Sequence, residues 1–154
     1  MKGTLLQRFS DKYIECPVTG CWHWVAASRT GYGLIRVGSK LVLAHRVSYE
    51  LFNGEIPAGM VVDHKCGVHS CVNPEHLRVA SMMQNSWNSK MKSNNTSGFK
   101  GVTYRPKDKK WQANIRFSGK RVHLGVFSTP EEAHNAYREA SQKHHGVFSN
   151  LGGV

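Results

Sequence analysis

The sequence predicts an α+β fold divided between two small units. Short runs of alternating apolar and polar residues are separated by turn residues such as Gly38-Ser39-Lys40 and Ser118-Gly119, a pattern typical of brief antiparallel strands. Residues 130–144 instead carry the capping residues and apolar spacing of a helix. Residues 89–98 are mostly Ser, Asn, Lys, Thr and Gly, which predicts a flexible hinge between the units.

The first predicted domain covers residues 1–92. It opens with a short helix that ends at Cys16-Pro17, and its second helix is amphipathic and closed by Asn53-Gly54. A helix capped by Ser81 ends the domain. The predicted elements are a helix within residues 1–15, strands near 22–26, 32–37 and 41–44, a helix at 46–52, antiparallel strands at 60–64 and 77–79, and a helix at 81–92.

A linker is predicted at residues 93–98 and the second domain at 99–154. Turn residues separate three predicted strands in this domain, which indicates an antiparallel sheet. Thr129 is the expected N-cap of the helix that follows, with Pro130 at its first position. The predicted elements are strands at 101–105, 111–117 and 120–127 and a helix at 130–144.

The chain is strongly basic, with a formal net charge of +11 at pH 7 and a pI of about 9.8. Basic residues outnumber acidic residues in both predicted domains, so both are expected to contact an anionic partner such as DNA. No apolar run approaches the ~20 residues that span a bilayer, and Met1 to Ser10 contains no hydrophobic stretch of signal-peptide length. We therefore expect a cytoplasmic protein without membrane contact.

Four cysteines form two pairs with the same spacing, Cys16-x4-Cys21 and Cys66-x4-Cys71. In a reducing cytosol such pairs indicate the four thiolate ligands of a structural Zn²⁺ ion. The ion would tie the N-terminal arm to the loop after Asp63-His64, and a small core needs such a staple. Disulfides or unrelated buried thiols are the alternative.

Asp63 and His64 are adjacent at the end of a predicted strand. Phosphodiester hydrolysis needs a base for the proton of the attacking water and a cation for the charge that develops. His64 is the candidate base because a neutral imidazole accepts a proton near pH 7. Asp63 and the amide oxygen of Asn85 are hard ligands suited to Mg²⁺ or a similar divalent ion, and His76 on the returning strand is a candidate partner that orients His64.

Residues 16–92 resemble the HNH endonucleases, which share the ββα-metal fold. The resemblance implies His64 as general base, Asp63 and Asn85 as metal ligands, and the position of His76 as the residue that orients the base. The family often has Asn there; the nine-residue distance from His76 to Asn85 matches the family's spacing, and Asn73 is the alternative. The motifs are Cys16…Cys21-Trp22, Ala44-His45-Arg46, Asp63-His64, Cys66…Cys71-Val72-Asn73-Pro74-Glu75-His76-Leu77 and Gln84-Asn85.

Residues 97–151 contain a set of short motifs: Gly101-Val102, Trp111, Ala113, Ile115-Arg116, Val122-His123-Leu124-Gly125-Val126-Phe127, Glu132-Ala133, Ala136-Tyr137 and Asn150. Through these motifs the segment resembles the plant ethylene-response-factor (Apetala-type) DNA-binding domain. Because the family commonly has Arg and Trp where this chain has Thr103 and His123, the plant target sequence does not transfer. The residues implied to contact double-stranded DNA are Lys100, Thr103, Arg105, Arg116, Arg121 and His123.

The sequence thus predicts a site-specific DNA endonuclease that hydrolyses phosphodiester bonds with one divalent metal ion and a histidine base. Whether it cuts one strand or two, as a monomer or a dimer, does not follow from the residues. The alternative is a catalytically silent DNA-binding regulator that uses its HNH half as a zinc-held scaffold. The resemblance to the small phage and homing members of the HNH family implies a phage or mobile-element origin.

Overall fold

The computed structural model describes residues 3–151 and divides the chain into two compact units, Met1–Met82 and Met83–Val154. Residues 1–2 and 152–154, which the predicted domains 1–92 and 99–154 include, lie outside the described residues. The combination of helices with small antiparallel sheets is the predicted α+β class. Asn85 falls in the second unit.

The first unit is built from short strands and two helices, in the order α1 (Leu5–Ser10), β1 (Tyr13–Glu15), β2 (Trp22–Trp24), β3 (Ser28–Arg29), β4 (Tyr32–Val37), β5 (Lys40–Leu43), α2 (Ala44–Phe52), β6 (Val61–His64) and β7 (Leu77–Ala80). All strand pairs are antiparallel: β1 pairs with β2, β4 lies between β3 and β5, and β6 pairs with β7. The β6–β7 register sets Asp63 opposite Arg78 and His64 opposite Leu77.

Helix α1 is shorter than the sequence predicted. Its start is fixed by a capping box in which the Gln7 N–H donates to Thr4 Oγ1 at 3.3 Å and the Thr4 N–H to Gln7 Oε1 at 2.9 Å. The helix ends at Ser10, and Tyr13, expected on the helix, belongs to β1. The Tyr13 ring stacks on Trp22 of β2 at a centroid distance of 4.5 Å, so a cross-strand aromatic contact favours the strand.

The core of the first unit joins α1 and α2 to the strands, through Phe9, Trp24, Ile35, Ala44, Val47 and Val72. The Phe9 side chain is fully buried, and its ring centroid lies 5.5 Å from that of Trp24. Gly33 makes room for this indole, since a Cβ at position 33 would lie 2.5 Å from Trp24 Cδ1. The core therefore depends on a glycine where β4 crosses the tryptophan.

The loop between β6 and β7 folds back onto β2. The Trp24 N–H donates to the Ser70 carbonyl at 2.9 Å and the Val72 N–H to the Trp22 carbonyl at 2.8 Å. A 3-10 helix at Pro74–His76 then leads into β7. Because residues 70–72 run beside β2, the second cysteine pair is carried to the turn in which Cys21 lies.

The second unit is a three-stranded antiparallel sheet covered by one long helix, as the sequence predicted. Its elements are α3 (Met82–Asn88), which begins at the unit boundary, β8 (Val102–Arg105), β9 (Lys110–Phe117), β10 (Lys120–Phe127) and α4 (Pro130–His145). β9 is the central strand. Thr129 caps α4 by accepting the Glu132 N–H at 3.2 Å, which is the predicted cap.

Small residues let α4 lie close to this sheet. Ala133 is fully buried against Val102 and Ala113. Gly101 has a φ of +77°, and a Cβ there would clash with the Tyr137 ring. Within residues 3–151, no helix combines the length and the apolar character needed to cross a membrane.

Residues 92–98, within the stretch 89–98 that was predicted as a flexible hinge, form hydrogen-bonded turns in the second unit. Asn95 Oδ1 accepts the N–H groups of Ser97 at 3.0 Å and Gly98 at 2.8 Å. Ser97 Oγ donates to the carbonyls of Phe99 at 2.9 Å and Val102 at 3.0 Å. The polar composition that predicted a hinge therefore supplies side chains that bond the local backbone.

Candidate active site and metal centre

Three thiols and one imidazole converge beside the β6–β7 loop. The ligand atoms of Cys21, Cys66, Cys71 and His76 all lie within 4.8 Å of one another. His76 Nδ1 is 3.5 Å from Cys21 Sγ and 3.6 Å from Cys71 Sγ. A tetrahedral Zn²⁺ ion with ordinary bond lengths would set its sulfur and nitrogen ligands about 3.6 Å apart. The donor types and their spacing both fit a structural zinc site, which we call the Cys3His cluster.

The thiols of the Cys3His cluster act on one another's protonation. The Cys71 thiol donates a hydrogen bond that lowers the pKa of Cys66, while the same contact raises the pKa of Cys71. Of these two thiols, Cys66 is therefore the one that more readily becomes a thiolate. Zn²⁺ binds the thiolate form of cysteine, so this arrangement favours metal binding.

His76 occupies the place in the cluster that the sequence analysis gave to Cys16. Cys16 lies opposite Cys21 across the turn between β1 and β2, where its N–H donates to the Cys21 carbonyl at 2.8 Å. Its thiol bonds Thr19 within that turn, which lowers the pKa of Cys16. Cys21 is buried among the cluster ligands, whereas Cys16 is half-buried and is not one of them. Matching Cys-x4-Cys spacings do not reveal this difference.

Asp63 and His64 lie at the end of β6, where both are buried. Arg78, opposite on β7, donates from Nε to Asp63 Oδ2 at 2.9 Å. Burial lowers the pKa of His64, so its imidazole is neutral near pH 7. A neutral imidazole keeps one nitrogen able to accept a proton.

A backbone carbonyl determines which nitrogen of His64 can accept a proton. His64 Nε2 lies 2.9 Å from the Cys71 carbonyl oxygen. A carbonyl only accepts hydrogen bonds, so Nε2 carries the hydrogen and Nδ1 carries the lone pair. Cys71 thus supplies a thiol to the Cys3His cluster and a carbonyl to the candidate base. Sequence patterns do not report a backbone acceptor of this kind.

Both side chains predicted to orient His64 have other hydrogen-bond partners. His76 Nδ1 faces the thiols of Cys21 and Cys71. Asn73 donates from Nδ2 to the Gly20 carbonyl at 2.6 Å and accepts the Glu75 N–H at 2.9 Å. Both residues instead hold the loop and the turn that carry the cluster ligands.

Three further rings surround His64, and we call Tyr32, His45, His64 and His69 the ring cluster. The His45 centroid lies 4.7 Å from that of His64, and His69 stacks on Tyr32 at 4.5 Å. His45 is buried, and its Nδ1 has no hydrogen-bond partner among residues 3–151. Burial is the main cause that lowers the pKa of His45 to about 3. The motif Ala44-His45-Arg46 was the only sequence signal for this neighbour.

Asn85 lies on α3, in the second unit, and Asp63 in the first. Because the two residues belong to different units, a divalent ion shared by them stays a prediction from the family resemblance. The Asn85 side chain is only partly buried, and α3 buries none of its side chains fully.

The second unit presents a cationic sheet face. Cross-strand partners share a face of a sheet, and the register pairs Arg116 with Arg121 and Asn114 with His123. The side chains predicted to contact DNA on the three strands are exposed or half-buried: Thr103, Arg105, Arg116, Arg121 and His123. His123 lies 3.1 Å from Gln112, and Arg105 pairs with Asp108 at 2.6 Å.

Lys100 differs from the other predicted DNA contacts. Its Nζ donates to the carbonyls of Trp87 at 2.8 Å and Ser89 at 2.7 Å. Burial lowers the pKa of Lys100 to about 8. This ammonium, which the family resemblance predicts to contact DNA, thus lies against the end of α3.

The chain contains stretches that match known domain families and known proteins. Residues 42–87 match the sequence model of an HNH endonuclease domain, and residues 97–146 match that of the AP2 domain. Protein 3.8 of Escherichia phage T7 is 35% identical over 107 residues, which cover 70% of this chain and 88% of that protein. Two more phage T7 proteins are similar in part: Protein 2.8 is 33% identical over 90 residues and Protein 7.7 is 39% identical over 67.

The alignments cover 61% of Protein 2.8 and 52% of Protein 7.7. No solved structure matches significantly. The HNH match contains Asp63, His64, His76 and Asn85, and the AP2 match contains the cationic sheet. The chain therefore belongs to the HNH endonuclease family, has relatives among the proteins of phage T7, and carries an AP2 domain after the HNH domain.

Proposed function

We propose that this chain is a site-specific, metal-dependent DNA endonuclease encoded by a phage or a related mobile element. The observation that carries the proposal is the setting of His64, buried beside Asp63 with its Nε2 hydrogen held by the Cys71 carbonyl at 2.9 Å. A general base needs a neutral ring in a fixed tautomer, and both conditions follow from this contact and from burial. Phage relatives support the origin.

In the proposed reaction, His64 Nδ1 accepts the proton of the water that attacks the phosphorus. Asp63 and Asn85 would hold the divalent ion, Mg²⁺ or one like it, as hard oxygen ligands. When bound, that ion stabilises the charge on the phosphate and on the leaving 3′ oxygen. Arg78 holds the Asp63 carboxylate at 2.9 Å, which fixes its orientation.

The Cys3His cluster is proposed to bind Zn²⁺ as a structural ion. Cys71 links this cluster to His64 within one residue, because its Sγ lies in the cluster and its carbonyl bonds the imidazole. Loss of the ion is therefore expected to disturb the base as well as the fold. In this proposal the zinc ion holds the surrounding residues in place and takes no part in bond cleavage.

The sheet face of the AP2 domain is proposed to read the target sequence. Arginine can make paired hydrogen bonds to guanine in the major groove, while lysine holds phosphates. Arg116 and Arg121 are cross-strand neighbours and exposed, so they can approach one groove together. Thr103, Arg105 and His123 are proposed as further contacts, because they lie on the same sheet and are exposed or half-buried.

One observation favours the alternative of a silent DNA-binding regulator. Asp63 already pairs with Arg78, and a guanidinium beside a carboxylate competes with a cation for its oxygens. In that case the HNH domain would be a zinc-held scaffold that supports DNA binding alone.

Incubation of the purified protein with phage genomic DNA decides between the two functions. The endonuclease should produce discrete ends with Mg²⁺ and none after the divalent ion is removed by a weak chelator that leaves bound zinc in place. A binding-only protein should retain sequence-specific DNA affinity and produce no ends at any Mg²⁺ concentration.

A further inference from the structure

The C-terminal end of α3 is held by the AP2 domain's own side chains. The last carbonyls of a helix lack partners within the helix. Here the Lys100 ammonium bonds two carbonyls at this end: it donates to the Trp87 carbonyl at 2.8 Å and to the Ser89 carbonyl at 2.7 Å. Asn150 Nδ2 donates to the carbonyl between them, that of Asn88, at 2.8 Å. Three consecutive carbonyls are thus bonded by side chains from later in the chain.

A ring contact fixes the same turn from another side. The Trp87 indole stacks on His145 of α4 with centroids 4.3 Å apart and planes inclined by 12°. His145 is itself buried, and its Nε2 lies 3.0 Å from the Arg116 carbonyl of β9. The end of α3 is therefore connected through one imidazole to the central strand of the cationic sheet.

Helix α3 needs such support. It has seven residues and no fully buried side chain, and helices of this length are unstable without tertiary contacts. Asn85 lies two residues before Trp87 on this helix. Any displacement of the last turn would therefore move the candidate metal ligand.

We propose that Lys100 is a positioning residue for Asn85, and that the AP2 domain orders the helix that supplies this ligand as well as reading DNA. This inference rests on the proposed function, because Asn85 matters only if it binds the catalytic ion. It changes the role of Lys100 from the predicted DNA contact to a clamp on α3. It also implies that α3, which carries Asn85, is bonded to the AP2 domain and is not joined to it by a flexible linker alone.

The test uses the full-length protein with three substitutions. Lys100→Met keeps the aliphatic stem and removes the donor. Lys100→Arg keeps donors for the two carbonyls. Lys92→Met removes the same charge from an exposed position in the same segment and serves as the matched control. Cleavage is measured against Mg²⁺ concentration, DNA binding against salt concentration, and amide hydrogen exchange over residues 82–88.

Lys100→Met is expected to raise the half-saturating Mg²⁺ concentration on the order of 10-fold, the size of loss seen when the support of a metal ligand is removed. Excess Mg²⁺ should restore most of the rate, and Lys100→Arg should restore part of the affinity for Mg²⁺. Exchange over residues 82–88 should become faster in Lys100→Met only. DNA affinity should show the same salt dependence as in the parent.

An unchanged Mg²⁺ requirement with unchanged exchange in Lys100→Met would overturn the proposal. So would a salt slope lowered by about 0.9, which is the loss of one phosphate contact. If the parent itself fails to cut, the endonuclease assignment fails and the positioning role falls with it. Hydrogen exchange would then still show whether Lys100 clamps α3.

Discussion

At the scale of single residues, Cys71 connects the candidate zinc site of the HNH domain to its candidate general base. Its thiol lies in the Cys3His cluster, and its carbonyl accepts from His64 Nε2. The zinc site and the general base are therefore not independent. A change in the position of the Cys71 thiol should also move the Cys71 carbonyl and the His64 imidazole that bonds it.

The composition of the cluster leads to a paired prediction. His76→Ala should lower zinc affinity strongly, while Cys16→Ser should keep about one bound zinc ion, because a structural site uses four ligands and Cys16 bonds Thr19 instead. Elemental analysis and competition with a chromophoric chelator measure both. Zinc lost from Cys16→Ser but kept by His76→Ala would restore the four-cysteine site that the spacing predicted.

His45 gives a prediction on pH. Its pKa is about 3 in the folded protein against 6.5 ordinarily, so between these values the unfolded chain binds a proton that the folded protein does not. Stability from this residue is complete above pH 6.5 and declines as the pH falls toward 3. Between pH 7 and pH 5 the free energy of unfolding should fall by about 1–2 kcal/mol more in the parent than in His45→Gln.

Urea titrations of both proteins at pH 7 and pH 5 measure this difference. Each titration is run with zinc in excess, so that loss of the ion at low pH affects both proteins equally. Parallel changes in the parent and in His45→Gln would show that His45 is not the residue responsible.

At the scale of elements, the close packing of α4 on the sheet depends on Gly101. Its positive φ and its contact with the Tyr137 ring both exclude a side chain. Gly119 also has a positive φ, of +74°, but no atom lies near its missing Cβ. Substitution of Gly119 therefore measures backbone strain alone, whereas substitution of Gly101 measures backbone strain and packing together.

Gly119→Ala should cost only the strain of a positive φ, about 1 kcal/mol. Gly101→Ala should cost a further 1–3 kcal/mol for overpacking against Tyr137. Thermal unfolding of the two variants measures the difference. Equal losses in both would mean that Tyr137 moves aside without cost.

Sequence patterns located what is local in this protein. Asp63 and His64 are adjacent, so their pairing could be read directly, and Thr129 was identified as a helix cap from the residues beside it. The tertiary relations were missed. Which cysteine of the first pair reaches the cluster depends on the fold of the β1–β2 turn, and the role of Lys100 depends on where α3 ends within the second unit.

At the scale of the whole molecule, the two domains divide the work of one endonuclease under our proposal. The HNH domain supplies the base and the structural zinc, and the AP2 domain supplies site choice. Contacts to phosphates carry no sequence information, whereas contacts to base edges do. The division therefore predicts different effects for different cationic residues of the sheet unit.

Arg116→Ala should relax sequence preference by roughly 1–3 kcal/mol at one base pair. Lys107→Ala, in the exposed turn between β8 and β9, should mainly lower affinity and its salt dependence. Binding to a randomised DNA pool at one fixed salt concentration compares the two. Equal loss of preference in both variants would assign base reading to another part of the chain.

The most direct measurement is the single-turnover cleavage rate of His64→Ala on a target that the parent cuts. Removal of a general base should lower the rate on the order of 10²–10⁴-fold while DNA affinity stays near that of the parent. His144→Ala, an exposed histidine of α4, serves as the control and should cut at close to the parent rate. If His64→Ala cuts as fast as the parent in a preparation free of host nuclease, His64 is not the base and the proposed active site is wrong.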